Sequence, residues 1–281
     1  MSTTTDGTMR GPSPSGVDAV LLDYGGVLAP VESPDDGFRS MAAVIHDRLR
    51  HTDLRVEDVE IDLCDGWHAY AGWKTAQSRN PHPHEVTQPR FWEWVTCDWP
   101  AAEQAAVRAH ATVLTRELEL RVIQRPARAD AAQLLRTLSA AGVGTGIVSN
   151  CLSGDAAREQ LEADGLLSLL DVTVFSNEVG VRKPGPDILQ IGLAALGTDP
   201  AHGCFVGDRL DRDILAGRRA GVGTTVLFLA ETGSGRALRG VEPDHTIASL
   251  SELPNVLGVT ESPGGSPSRP GNPTTTTRST P

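Results

Sequence analysis

Two spacings of apolar residues divide this chain. Ala19–Leu22 form a short unbroken apolar run, the signature of a strand buried on both faces, and the run stops at Asp23. Gly25 and Gly26 follow at once and allow a sharp turn with close backbone approach to a ligand. The spacing then changes. Phe38, Met41, Ile45 and Leu49 recur at helical intervals, with Ser33 as an expected N-cap, and residues 101–120 read as another helix. Strand character returns near residue 143. Leu134, Leu135 and Leu138 predict a helix ending near Gly142, followed by a strand over Val143–Val148 with Ser149 and Asn150 at its end. A helix from Ser153 to Gly165, a strand over Asp171–Phe175, a loop over 180–186 and a helix over 187–196 come next. Cys204–Val206 predict a strand closed by Gly207-Asp208; Ile214, Gly217 and Ala220 mark a helix, and Thr224–Leu229 a last long strand. A short strand-and-turn element is expected over 244–253. Strands alternating with helices of this length predict an α/β fold, a doubly wound parallel sheet. The core is assigned to residues 17–31 plus 122–260, and a helical module to the insertion 32–121.

Composition narrows the function. The chain has 281 residues and a formal net charge of −11, without a basic block. Such a chain is a poor polyanion binder, which argues against nucleic-acid and anionic-membrane partners. No apolar run approaches the ~18–20 residues of a membrane span, and the first residues lack the pattern of a secretory leader. A cytoplasmic location is expected, with Cys64, Cys97, Cys151 and Cys204 reduced, since they form no CxxC pair. Residues 1–16 and 261–281, rich in Ser, Thr, Gly and Pro, read as a disordered arm and tail. All five Trp fall in the helical insertion: Trp67, Trp73, Trp92, Trp94 and Trp99, with Tyr70, His68, His82 and His84 among them. They form the insertion's own core or a specificity pocket over the first strand's end. The His residues lack metal-ligand spacing.

In a parallel sheet the carboxyl ends of the strands share one edge, where open α/β sheets place their chemistry. That edge would collect Asp23, Ser149, Asn150 and Asp208, with Asp211 and Asp213 close behind and Lys183 on the preceding loop. Crowded carboxylates repel, and a hard cation such as Mg²⁺ relieves them. A carboxylate nucleophile, a cation, an ammonium and a hydroxyl together suit a phosphoryl group.

Four stretches carry a resemblance: Leu22-Asp23-Tyr24-Gly25-Gly26-Val27-Leu28; Ile147-Val148-Ser149-Asn150; Phe175-Ser176-Asn177-Glu178-Val179-Gly180-Val181-Arg182-Lys183-Pro184; and Phe205-Val206-Gly207-Asp208 through Asp213-Ile214 to Ala220-Gly221. The pattern resembles the haloacid dehalogenase superfamily, in its subgroup with an α-helical (C1-type) cap inserted after the first strand. The resemblance implies a Rossmann-like core and a Mg²⁺-dependent phosphatase acting on a small phosphorylated metabolite, as monomer or homodimer. Asp23 would be the nucleophile that forms an aspartyl-phosphate. Asp23, the Gly25 carbonyl and Asp208 would bind Mg²⁺, with Asp213 supporting the metal shell or orienting Lys183. Ser149, Asn150 and Lys183 would hold the phosphoryl group. Gly25 departs from the pattern: phosphatases of the superfamily carry there a second Asp, the general acid and base, whose loss costs about 10²–10⁴ in rate. Two alternatives follow from Gly25. One is a 2-haloacid dehalogenase, which also lacks that Asp; the other is a catalytically degenerate binding or regulatory protein.

Overall fold

A computed structural model describes residues 16–50, 52–229 and 238–259. Six parallel strands form one sheet: β1 (Ala19–Leu22), β2 (Gly144–Ser149), β3 (Val172–Phe175), β4 (Gly203–Gly207), β5 (Thr224–Phe228) and β6 (His245–Ile247). Their order is β3-β2-β1-β4-β5-β6, so β1 lies inside, with the chain crossing over on either side of it. Strand alternation sends Val20 and Leu22 to one face and Ala19 and Leu21 to the other. On the first face they pack with Ile147, Val206 and Phe228 under the helices carrying Leu135, Leu161 and Leu253. On the second they meet Val148, Phe205, Ile188, Leu189 and Ala216. Both faces are covered, which is why β1 contains no polar position.

Register sets the chemistry. Leu22 pairs with Ile147 on one side and Val206 on the other, so Asp23, Ser149 and Asp208 emerge within about one residue of a common line. Ser149 is the last residue of β2, one position beyond the expected strand end.

Between β1 and β2 lie six helices: α1 (Gly37–Leu49), α2 (Val56–Gln77), α3 (Gln88–Val95), α4 (Ala101–Ala109), α5 (Ala111–Val122) and α6 (Ala131–Ala140). The first five share a core of Met41, Ile45, Leu63, Phe91, Trp92 and Leu118, into which Leu152 also projects from beyond β2. Trp92 Nε1 donates to the Ala111 carbonyl and to Thr115 Oγ1, and Trp99 Nε1 donates to Asp62 at 2.7 Å. Ser33 does not cap α1. It precedes Pro34, whose ring disfavours helical backbone before it, and the helix begins after Asp36. The chain leaves the sheet and returns through a reciprocal backbone pair, Glu32 with Gln124, at 2.9 Å each way. Beyond β2 come α7 (Gly154–Ala163), α8 (Ser176–Val179), α9 (Asp187–Ala195), α10 (Leu215–Ala220) and α11 (Leu253–Val256). Ser153 caps α7 by accepting from Ala156 N–H. The expected disordered arm and tail lie outside the described residues, apart from Gly16.

Candidate active site

The turn after β1 is shaped by Tyr24 and Gly26. Tyr24 is fully buried, and its carbonyl accepts from Leu28 and Ala29 N–H while Gly26 N–H donates to the Ala29 carbonyl. Gly26 has φ +90°, and a Cβ there would lie 2.2 Å from an Asp208 carboxylate oxygen. Only glycine lets the first turn approach the end of β4 so closely. Gly25, by contrast, has φ outside the left-handed region; a Cβ there would meet one methyl of Val31 at 2.9 Å.

Asp23 is buried and fully engaged. Its Oδ1 accepts from Tyr24 N–H at 2.8 Å and faces Lys183 Nζ at 2.9 Å. Its Oδ2 accepts from Arg212 Nη2 at 3.0 Å. Lys183 is itself fully buried and also pairs with Asp213 Oδ1 at 2.8 Å. Asn150 fixes the Lys183 backbone: its Oδ1 accepts from Lys183 N–H and its Nδ2 donates to the Lys183 carbonyl, both at 2.9 Å. Thus Asn150 acts on the lysine loop, two strands' ends being tied through one amide. Asp213 projects from a single π-helical turn, Leu210–Ile214, and accepts from Arg209 N–H at 3.1 Å.

Asp23, Asp208 and Asp213 bring carboxylate oxygens within 4.8 Å of one another. Three hard oxygen donors held this way match the donor chemistry of a hard divalent cation. A protein cation also stands among them. Arg212 Nη2 lies 3.2 Å from Asp208 Oδ1 and 3.4 Å from Asp213 Oδ2, and its Nε donates to Asp213 Oδ1 at 3.3 Å. The charges answer one another. Burial pushes the Asp208 carboxyl up to about 7, reinforced by the Asp213 and Asp23 carboxylates against the pull of Arg212. Burial acts in the same sense on Asp213, but Arg212 and Lys183 outweigh it and hold that carboxyl well below the usual range. Burial would lower the Arg212 pKa; the three carboxylates more than reverse this.

Above this floor lies a cavity of about 510 Å³ lined by Asp23, Gly25, Ser149, Asn150, Asp208 and Arg212 below and by Trp67, Tyr70, Lys74, Glu119 and Arg125 above. Lys74 Nζ sits 4.4 Å over the Tyr70 ring, and burial pulls its pKa down to about 8, helped by Arg182 and Arg212. Arg125 donates to Gln160 Oε1 at 3.0 Å. Neither Lys74 nor Arg125 has a carboxylate within ion-pair distance among the described residues. Glu119 on α5 is 2% exposed. Its Oε1 accepts from Leu152 N–H at 3.0 Å, Oε2 makes no hydrogen bond, and burial raises its pKa against the pull of Arg125, Lys74 and the Leu152 and Ser153 backbone N–H groups.

The residues named from sequence therefore come together: Asp23, Ser149, Asn150, Lys183, Asp208 and Asp213 share one sheet edge, with Gly25 at the cavity wall. Asp211 does not join the acidic group, being held by Arg209 in a bidentate pair. Of the five Trp, Trp67 lines the cavity, while Trp92 and Trp99 are buried in the helical packing. Four site residues escaped sequence reasoning: Arg212, Lys74, Arg125 and Glu119. Arg212 had a signal, a basic residue directly beside Asp213 in the stretch that carries Asp208, Asp211 and Asp213. The other three had none, since their spacing is that of any solvated helix face or loop.

Residues 17–221 match the protein family described as haloacid dehalogenase-like hydrolase. Pyrophosphatase PpaX of Bacillus velezensis is 32% identical over 127 residues, 45% of this chain and 57% of that protein. The match thus spans little more than half of that relative's length. A HAD phosphatase structure from Thermococcus onnurineus superposes with TM-score 0.55 at 20% identity, covering 88% of this chain and all of the other. A 2-haloacid dehalogenase from Pseudomonas syringae pv. tomato gives TM-score 0.58 at 18% identity over 86% of this chain and 98% of its own. At such identities the two structures speak to the fold.

Proposed function

The chain belongs to the haloacid dehalogenase-like hydrolase family, and on that premise we propose that it is a phosphatase working through an aspartyl-phosphate on Asp23. One observation carries the reading: Asp23, Lys183, Asp208 and Asp213 converge at the floor of the cavity from three separate strand ends. Asp23 attacks phosphorus in line, the P–O bond to the leaving group breaks, and water then cleaves the acyl phosphate, returning the carboxylate and releasing phosphate. Lys183 neutralises developing charge and is aimed by Asp213 and Asn150; the Ser149 hydroxyl binds a phosphoryl oxygen. Mg²⁺ would be held by Asp23, Asp208 and the Gly25 carbonyl, with Asp213 behind them, and would supply further neutralisation of phosphoryl charge. The five helices between Gly37 and Val122 serve as an α-helical cap, and Trp67, Tyr70, Lys74 and Glu119 form their contribution to the pocket.

Gly25 leaves no carboxyl to protonate the leaving oxygen at the usual position. Glu119 is the buried carboxyl of the cavity with a free oxygen, and it takes that role in this reading. Lys74 and Arg125 favour a substrate with a second acidic group besides the phosphoryl. The same Gly25 also favours the alternative of a binding or regulatory protein that captures such a ligand without turning it over. Supplying an acyl or aryl phosphate, whose leaving group needs no proton, separates the two. A burst of product with acid-stable trapping of phosphate on Asp23 is expected, and both should vanish in Asp23→Asn. Tight ligand binding with no phosphoenzyme in the native protein would establish the binding reading instead.

A further inference from the structure

The proposed site contains a cation of its own. Arg212 directs one nitrogen, Nη2, at Asp23, Asp208 and Asp213 together, 3.0, 3.2 and 3.4 Å from their oxygens. A side chain that bridges three carboxylates through a single nitrogen does what a bound metal ion does: it neutralises them and sets their mutual geometry. It also fixes the free oxygen of Asp23, since Oδ1 is already taken by Tyr24 N–H and Lys183.

We propose that Arg212 is a resident counter-ion and positioning residue of this site, and that Arg212 and a divalent cation occupy the carboxylate cluster in mutually exclusive fashion. The proposal rests on the metal-binding part of the function above. Divalent Mg²⁺ sits ~2.1 Å from its oxygen ligands. An ion at that distance from the same oxygens would press against the guanidinium sterically and repel it electrostatically. Lys183 is not the cation that yields: it is fully buried behind the cluster and pinned by Asn150. Arg212 faces the cavity and keeps a quarter of its side chain exposed, so it has a path outward. Its departure would free Asp23 Oδ2 and Asp208 Oδ1 together, because both are held by the one nitrogen. Metal binding therefore has to replace an existing ion-pair network rather than relieve bare carboxylates, and affinity for Mg²⁺ is lowered accordingly.

The test measures Mg²⁺ binding by calorimetry on chelator-treated protein, alongside melting curves in EDTA and in excess MgCl₂. Arg212→Asn should bind Mg²⁺ at least about tenfold more tightly than the native chain, because the competing charge is gone. Without metal it should melt below the native protein, since three crowded carboxylates lose a partner, and Mg²⁺ should restore several degrees more than it does to the native chain. A packing defect alone would not be rescued by metal. Arg212→Lys keeps a charge but loses the planar fork, and its affinity should fall between the two. Equal affinity in all three proteins would overturn the exclusion and leave the metal assignment standing. No binding in any of them would overturn both, while trapping of phosphate on Asp23 would still report on the nucleophile independently.

Discussion

The floor and the roof of the cavity are built on opposite electrostatic plans. On the floor, Arg212 pairs with all three carboxylates and Lys183 with Asp23 and Asp213, so most of the charge is balanced internally. On the roof, Lys74 and Arg125 face the same space without a carboxylate at ion-pair distance among the described residues, and Glu119 Oε2 makes no hydrogen bond. The floor comes from strand ends locked by register, and its groups hold one another. The roof comes from α2, α5 and the return to the sheet at Gln124, and its groups are held by packing, as when Lys74 lies over the Tyr70 ring. A largely self-paired floor resists change until a ligand displaces a partner, whereas a roof with unpaired cations attracts anions.

The largest expected effect erases the boundary between the two. Gly25 lies at the seam, and a Cβ there would point within 3.8 Å of Arg125 Nε. Gly25→Asp would place a carboxyl beside the floor and offer Arg125 a partner. The one close contact, with Val31, involves a side chain that is half exposed and free to rotate. Turnover of alkyl phosphates should rise by up to about 10²–10⁴, with a smaller gain for aryl phosphates. A folded variant with no gain on any alkyl phosphate would leave two readings, a non-catalytic protein or one in which Glu119 already supplies the acid, and turnover lost in Glu119→Gln would select the second.

Next in size is the roof's own acid. Glu119→Gln should lower turnover of alkyl phosphates by about 10²-fold while sparing aryl phosphates, and should remove a basic limb from the pH–rate profile. Loss that is equal across leaving groups would make Glu119 a structural residue. In the Gly25→Asp background the same substitution should have little effect, because the acid is then supplied from the other side.

The smallest effect concerns the roof's unspent charge. Burial holds Lys74 at about 8 rather than 10.5. Between those values the unfolded chain binds more protons than the folded one, so this residue makes stability rise with pH across that window. Below it the penalty is complete. Lys74→Met should therefore stabilise the protein at pH 7 by about 1 kcal/mol, discounted for partial exposure, and flatten the rise expected in urea unfolding above pH 8. A loss of stability at pH 7 would mean that Lys74 already has a counter-charge.

Much of the floor could be read from local pattern. An apolar run that ends in Asp, or in Gly-Asp, states both a buried strand and the residue at its end, and parallel pairing then brings Asp23, Ser149 and Asp208 together without further information. Lys183 and Asn150 could be named for the same reason, though not their backbone clamp, which joins residues 33 positions apart. The helical insertion could be bounded by its change of period, but α1 starts beyond Ser33 because Pro34 interrupts the expected cap. Which aromatic residues face the cavity depends on how five helices rotate against one another; Trp67 and Trp92 look alike in sequence and end on different sides of that packing. Arg212 is the sharpest case. Its identity and its place beside Asp213 are written in the chain, yet only the π-helical turn and the closed sheet edge aim its guanidinium at three carboxylates. Period and strand ends are properties of short segments, so local sequence determines them. Charge pairing across a site depends on distances between segments, and those exist only once the chain has folded.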